Sequence, residues 1–276
     1  MQASSEGAGN RGKHGTVLES VAEFREQYQR SKTQQADAVP AGIAGQIQTG
    51  DTVRYRSSNR SPIAALTVLD DGKDDGETIR IRQTPYVIGR SDGDLKIAND
   101  NQMSARHAEL VRREQAGGWA WCLRDLGSTN GTFVCISSGL LHSGQIVFLG
   151  GARYLFEISA AAGALSQDLG TSKWQQPNRQ NTVASLTELT SDGVGTKYPI
   201  QSAETVIGRD RSKCSIVLSD PMVNPCHARI ARDARGRWSI QNLKSLNGVW
   251  LQIDEVPLGN GGYFQLGEQR FAVRIG

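Results

Sequence analysis

Residues 87–110 read VIGRSDGDLKIANDNQMSARHAEL, and residues 206–230 read VIGRDRSKCSIVLSDPMVNPCHARI. Each stretch leads into a tryptophan-bearing run that ends on an Asn-Gly turn: WCLRDLGSTNGTF over 121–133 and WSIQNLKSLNGVW over 238–250. The two Gly-Arg pairs are 119 residues apart, His107 and His227 are 120 apart, and the Asn-Gly pairs are 117 apart. Register kept this closely means that one folding unit occurs twice. Each copy can therefore be read against the other, position by position.

Working outward, the apolar period is two nearly everywhere. Ile79 and Ile81 alternate with Arg80 and Arg82, and Trp119, Trp121 and Leu123 alternate with Ala120, Cys122 and Arg124. This is the pattern of strands with one buried face. Asp-Gly pairs at 71–72 and 92–93 mark turns between them. Short strands at close spacing, with no helical period inside either copy, predict an all-β protein of two β-sandwiches. Matching ends, Leu66-Thr-Val-Leu69 against Leu186-Thr-Glu-Leu189, set the first domain at 63–158 and the second at 183–276. Residues 159–182 form the linker between them.

The first 62 residues differ in composition. Residues 1–15 are Gly-, Ser- and Ala-rich, which predicts disorder, and 32–62 read as a linker. Between them Thr16 and Glu19 have capping-box spacing, and Leu18, Val21, Phe24 and Tyr28 follow at three- and four-residue intervals. The pattern predicts a short amphipathic helix over about 17–31. Too short to stand alone, it docks on the first domain or mediates self-association.

Composition excludes several functions. A formal charge of +3 in 276 residues is too weak an excess to argue for nucleic-acid binding. The four cysteines, Cys122, Cys135, Cys214 and Cys226, form no CxxC or Cys/His cluster, so they predict reduced thiols and no metal. No secretory h-region is visible, and no apolar run approaches the ~20 residues of a membrane helix. The expected setting is cytoplasmic, with no cofactor. Signatures of catalysis are missing too: there is no phosphate-binding GxxxxGK[ST] and no GxSxG elbow.

What the first copy does offer is a set of loop residues suited to an anion. Arg90 follows a glycine at a strand end, and a guanidinium fork matches phosphate oxygens. Ser104 and Arg106 add a hydroxyl and a second cation from another loop. Gly127-Ser-Thr-Asn-Gly-Thr132 is a third loop, with hydroxyl and amide donors between glycines. Each piece alone reads equally as a turn with a solvated charge. Their order and repetition are the specific signal.

Both repeats resemble forkhead-associated (FHA) domains, and the first shows the full order of Gly-Arg, Ser-x-x-His about fourteen residues on, then Gly-Ser-Thr-Asn-Gly-Thr. The resemblance implies sandwiches of about eleven strands whose apical loops bind phosphothreonine in a partner protein, without catalysis. Carried over, Arg90 and Ser104 contact the phosphate and Arg106 assists. Thr129 lies beside the phosphothreonine, and Asn130 bonds the peptide main chain. Gly89 and His107 are architectural, as are Gly208 and His227 in the second copy. That copy keeps Arg209 and Asn247 but has Asn224 in place of Ser104 and Leu246 in place of Thr129. Losing two or three of about five polar contacts predicts a degenerate second site. The expectation is a phosphothreonine-dependent adaptor whose partner is a Ser/Thr kinase or a kinase substrate; the other reading is a phosphate-independent interaction module.

Overall fold

The computed structural model describes residues 16–18, 63–69, 76–115, 118–160, 182–190 and 193–276. Among these the chain is all-β, with twenty strands and no helix. Repeat one supplies β2 (Ala64–Leu69), β3 (Thr78–Ile81), β4 (Tyr86–Gly89), β5 (Leu95–Lys96), β6 (Ala108–Gln115), β7 (Gly118–Asp125), β8 (Thr132–Leu141), β9 (Gln145–Leu149) and β10 (Ala152–Ala160). Repeat two supplies β11 (Thr182–Thr190), β12 (Gly193–Ile200), β13 (Glu204–Gly208), β14 (Ile216–Val217), β15 (Ala228–Arg232), β16 (Trp238–Asn242), β17 (Val249–Ile253), β18 (Glu255–Pro257), β19 (Gly262–Leu266) and β20 (Gln269–Ile275). That is nine strands and ten, where about eleven each were expected. No helix among the described residues is long and apolar enough to cross a membrane.

Of the helix expected over 17–31, residues 19–31 lie outside the described residues. Thr16–Leu18 form strand β1, pairing in parallel with β8 at Ile136 and Gly139. Thr16 therefore does not open a helix with a capping box. β-Branched Thr16 and Val17 suit a ladder better than a helix start.

Sequence repeats and spatial sandwiches do not coincide. β2 pairs with β20 over six residues, Ala64↔Ile275 to Leu69↔Arg270. Reciprocally, β10 pairs with β11 over eight, Arg153↔Leu189 to Ala160↔Thr182. The exchange passes through the middle of the molecule along β8 and β17. These run antiparallel from Thr132↔Ile253 to Ile136↔Val249. β8 begins beside β19 (Leu266↔Thr132) and ends beside β16 (Trp238↔Leu141). The chain that starts with β17 continues into β18, which pairs with β7. One sandwich is thus β18-β7-β6-β4-β5 over β3-β2-β20-β19-β8, and the other is β8-β16-β15-β13-β14 over β12-β11-β10-β9-β17. At the centre Val134 faces Leu251, its own counterpart 117 residues on, so a pseudo-twofold axis runs through this pair.

Burial follows the period of two. β2 alternates buried Ala64, Leu66 and Val68 with half-covered neighbours. Fully buried Phe264 and Phe271 stack at 5.0 Å in the first sandwich, and Phe156 meets Trp238 edge-on at 5.9 Å in the second. In both sandwiches the core therefore draws on both repeats. Trp119 breaks the expected alternation: it is 43% exposed near the start of β7, with the Arg112 guanidinium 5.0 Å over its ring.

The exchange fixes how the two apical ends stand. Gly131 and Gly248 leave opposite ends of the β8–β17 ladder, roughly 20 Å apart at the strand rise of ~3.3 Å per residue. The strands shared by the two sandwiches, rather than the 159–182 linker, set their separation.

Candidate functional site

Three loops meet at the apex of the first sandwich, and each is fixed by backbone bonds. After β4, Arg90 N–H donates to Ser104 O at 2.9 Å and Asp92 N–H to Ala105 O at 3.0 Å. The approach is so close that a Cβ on Gly89 would lie 2.0 Å from Ala105 O, which excludes any other residue there. His107, fully buried, joins this pair of loops to the third. Its Nδ1 accepts from Ser104 N–H at 3.1 Å, and its Nε2 lies 3.1 Å from Gly131 O. A backbone N–H can only donate, so the proton sits on Nε2 and the ring is neutral.

Asp125 builds the third loop and was not picked out in the sequence. Its carboxylate accepts from Gly127 N–H (2.8 Å), Ser128 N–H (2.9 Å), Ser128 Oγ (2.6 Å) and Thr132 Oγ1 (2.6 Å). Burial pushes its pKa up, but the bonds from Ser128, Thr132 and Gly127 outweigh that and hold it below the ordinary 3.8. The Ser128 and Thr132 hydroxyls are thereby turned inward. The available signal was an aspartate two residues before the Gly127 turn, which is Asx-turn chemistry.

What remains outward is a short set. The Ser104 hydroxyl oxygen accepts from Thr129 N–H at 3.0 Å, so its own hydrogen is free to donate. Thr129 is exposed, and Arg90 is half-covered, its guanidinium with no hydrogen-bond or ion-pair partner among the described residues. Arg106 is exposed and sits 3.5 Å from Asp92, which partly neutralises it. Asn130 is engaged on both sides. Its Nδ2 donates to Gln102 O (2.8 Å) and Oε1 (2.9 Å), while Arg153 from the other sandwich donates to its O (3.3 Å) and Oδ1 (3.4 Å). A peptide main chain bonding Asn130 must displace the exposed Gln102 side chain. The floor beneath is also composite: buried Asp100 accepts from Gln102, Glu268 and Gln269 N–H at 2.9, 2.8 and 3.1 Å.

The second apex keeps the frame and changes the face. Arg209 N–H donates to Asn224 O (3.0 Å), Asn224 N–H to His227 Nδ1 (3.1 Å), and His227 Nε2 lies 2.8 Å from Gly248 O. A Cβ on Gly208 would lie 2.2 Å from Pro225 O. Asn224 Oδ1 accepts from Leu246 N–H at 3.0 Å, the role Ser104 Oγ has in the first site. The Asn242 carbonyl replaces the Asp125 carboxylate, accepting from Ser245 N–H and Oγ at 2.8 Å each. Asn247 Nδ2 donates to Met222 O at 2.7 Å. In place of the hydroxyl-bearing Thr129, Leu246 stands 76% exposed, beside Met222 at 51%. Arg209 is exposed, and its guanidinium has no partner among the described residues.

One backbone difference gives a direct test. Lys244 occupies the position of Gly127 and takes the same left-handed conformation, φ 59° against 73°. That conformation costs an L-residue about 1–2 kcal/mol, partly offset in glycine by its greater freedom when unfolded. Lys244→Gly is expected to raise stability by about 1 kcal/mol, a melting shift of ~2–4 °C. Differential scanning calorimetry reads this; an unchanged or lower midpoint contradicts it.

Burial lowers the pKa of both His107 and His227 from the ordinary 6.5. The unfolded chain then takes up protons below about pH 6.5 that the folded chain refuses, so stability falls as pH drops from there toward the depressed values. Melts at pH 7.5 and 5.5 check the direction: the midpoint is expected to be lower at 5.5. An equal or higher midpoint contradicts neutral burial of the pair.

Comparison with known proteins gives one family. The sequence model of the FHA domain matches residues 86–150 and again 205–267. FHA domain-containing protein FhaB of Mycobacterium tuberculosis is 37% identical over 75 residues, 27% of this chain and 46% of FhaB. FhaB of Mycolicibacterium smegmatis has the same identity and coverage. The chain thus spans about half the length of these relatives. A solved structure of Mycobacterium tuberculosis EmbR in complex with a low-affinity phosphopeptide is 31% identical, covering 29% of this chain and 22% of that one, with a TM-score of 0.19.

Proposed function

The chain is a tandem FHA-domain protein, and from that premise we propose that it is a phosphothreonine-dependent adaptor whose first apical site receives the phosphopeptide. FHA domains are phosphothreonine-binding modules, and FHA proteins are in general non-catalytic binding proteins. Arg90 carries the assignment to the first apex. A half-covered guanidinium with no acidic partner, beside a free hydroxyl hydrogen on Ser104 and the exposed Thr129, is a site short of one anion. Phosphothreonine brings close to two negative charges and three acceptor oxygens to that gap. Arg106 assists, Asn130 meets the peptide main chain after Gln102 is displaced, and Gly89 and His107 hold the loops. The partner class is a protein phosphorylated on threonine, either a Ser/Thr kinase or its substrate.

Fluorescence anisotropy with a degenerate phosphothreonine peptide pool and its unphosphorylated twin tests this. Binding confined to the phosphorylated pool supports it, and equal binding of the two pools removes it.

A second reading applies to the second apex alone. Leu246 and Met222 put two exposed apolar side chains where the first site has Thr129 and Gln102. That exchange favours a scaffold or phosphate-independent contact there. Asn247 and Gly208 keep structural roles, while Arg209 and Asn224 retain only a weak anion-binding capacity.

A further inference from the structure

The four cysteines are not alike. Cys122 lies within β7 and Cys135 within β8, and burial pushes both thiols up to about 11. Cys214 and Cys226 instead lie on the two loops that clasp the second apex. Cys214 follows Arg209 on the loop after β13, and Cys226 follows Asn224 and Pro225. The loops are stitched by Asp210 N–H to Pro225 O at 3.1 Å. Cys214 Sγ donates to that same carbonyl at 3.0 Å, and Pro225 directly precedes Cys226, so the two thiols sit on facing, bonded loops. Burial is graded across the pair, with Cys214 covered and Cys226 half-exposed.

The first apex has no such pair. Asp94 and Ser215 make the same backbone bond, to Val87 O and Val206 O, so Cys214 corresponds to Gly93, and Cys226 corresponds to Arg106. Both thiols are specific to the copy in which the outward phosphate ligands have changed.

We propose that Cys214 and Cys226 are a reversible thiol–disulfide pair, which a peroxide closes into a clamp across the arginine and asparagine loops of the second apex. The half-exposed Cys226 thiolate attacks the peroxide O–O bond, giving a sulfenic acid and water after protonation. Cys214 then attacks that sulfur, loses its proton, and expels the hydroxyl as a second water. One peroxide takes up the two electrons that the thiols lose, and a small-molecule thiol reverses the step. The clamp fixes Arg209 to the Asn224 loop and leaves the first apex untouched.

Peptide mapping without reductant, after graded treatment of the full chain with hydrogen peroxide, tests the proposal. The expected product is one cross-linked peptide pair, Cys214 to Cys226, lighter by two hydrogens and restored by dithiothreitol, with Cys122 and Cys135 still reduced. Cys226→Ser is expected to abolish it and to leave phosphopeptide affinity at the first apex unchanged. Sulfinic acid at Cys226 with Cys214 still a free thiol overturns the proposal, as do cross-links distributed among all four cysteines. Because the mapping needs no peptide ligand, its outcome is independent of the adaptor reading.

Discussion

Arg90→Ala is expected to lower affinity for a phosphothreonine peptide by about a hundredfold or more. The guanidinium offers two parallel donors to a dianionic phosphate, and charge-assisted hydrogen bonds contribute about 1.5–3 kcal/mol each. Loss of about 3 kcal/mol moves a micromolar complex beyond 100 μM. No neighbouring cation can replace it: Arg106 faces Asp92 at 3.5 Å, and Arg153 is committed to Asn130. Folding should be unaffected, since no described residue depends on the Arg90 side chain for a bond. Arg90→Lys separates charge from geometry, and should recover part of the affinity but not the forked contact. Arg209→Ala in the second apex is the matched control, with at most a few-fold effect expected. If Arg209→Ala disrupts binding and Arg90→Ala does not, the two apices have been assigned in the wrong order.

The second large effect concerns the exchange of strands. Cutting the chain at a specific protease site introduced within residues 161–181 is expected to leave the two pieces bound to each other. Six ladder residues of β2 and β20, five of β8 and β17, and the reciprocal edges of β8 with β16 and β19 all join one piece to the other. Fully buried Phe264 and Phe271 close a core begun by Leu66, Ile88 and Leu123. Burying each such aromatic contributes about 1.5–3 kcal/mol, so separation requires unfolding both sandwiches. Size-exclusion chromatography of the cut protein should show one peak at the mass of the whole, splitting only in denaturant. Two independently folded halves eluting apart would mean that each repeat closes on itself.

The same exchange limits how partners can be held. Two consecutive domains on a flexible linker would sample many spacings, and a partner with two phosphothreonines would gain from both. With β8 common to both sandwiches and paired antiparallel to β17, which runs on into β18, the apices face away from each other at a set distance. A single short peptide therefore reaches only one.

Much of the site was legible because its residues are punctuation as well as chemistry. Gly89 and Gly131 are needed for close approach and positive φ, and His107 and His227 recur because each ties three loops together. Such residues keep fixed spacing in both copies. Asp125, Gln102 and Arg153 were missed for the opposite reason. Their types are common on any surface, and only the folded loops show that Asp125 turns two hydroxyls inward or that Arg153 reaches Asn130 from the other sandwich. At the N-terminus, the short run from Thr16 carried both a helical period and β-branched residues. The part that is described pairs with β8 as strand.

By itself the sequence determined that one unit occurs twice, that it is built of half-buried strands, and that the first copy retains the outward Arg90, Ser104 and Thr129 while the second has Leu246. Those properties are local, written in period, turn chemistry and residue identity. Which copy's strands pair with which was decided only in three dimensions. Duplicated repeats present nearly the same apolar pattern to either partner, so β2 can satisfy its ladder on β10 or on β20 at similar energy. The structure places β10 against β11, its neighbour in the chain, and closes the molecule with β2 on β20. No periodicity carries that choice, because it rests on the difference between two almost equal sets of contacts.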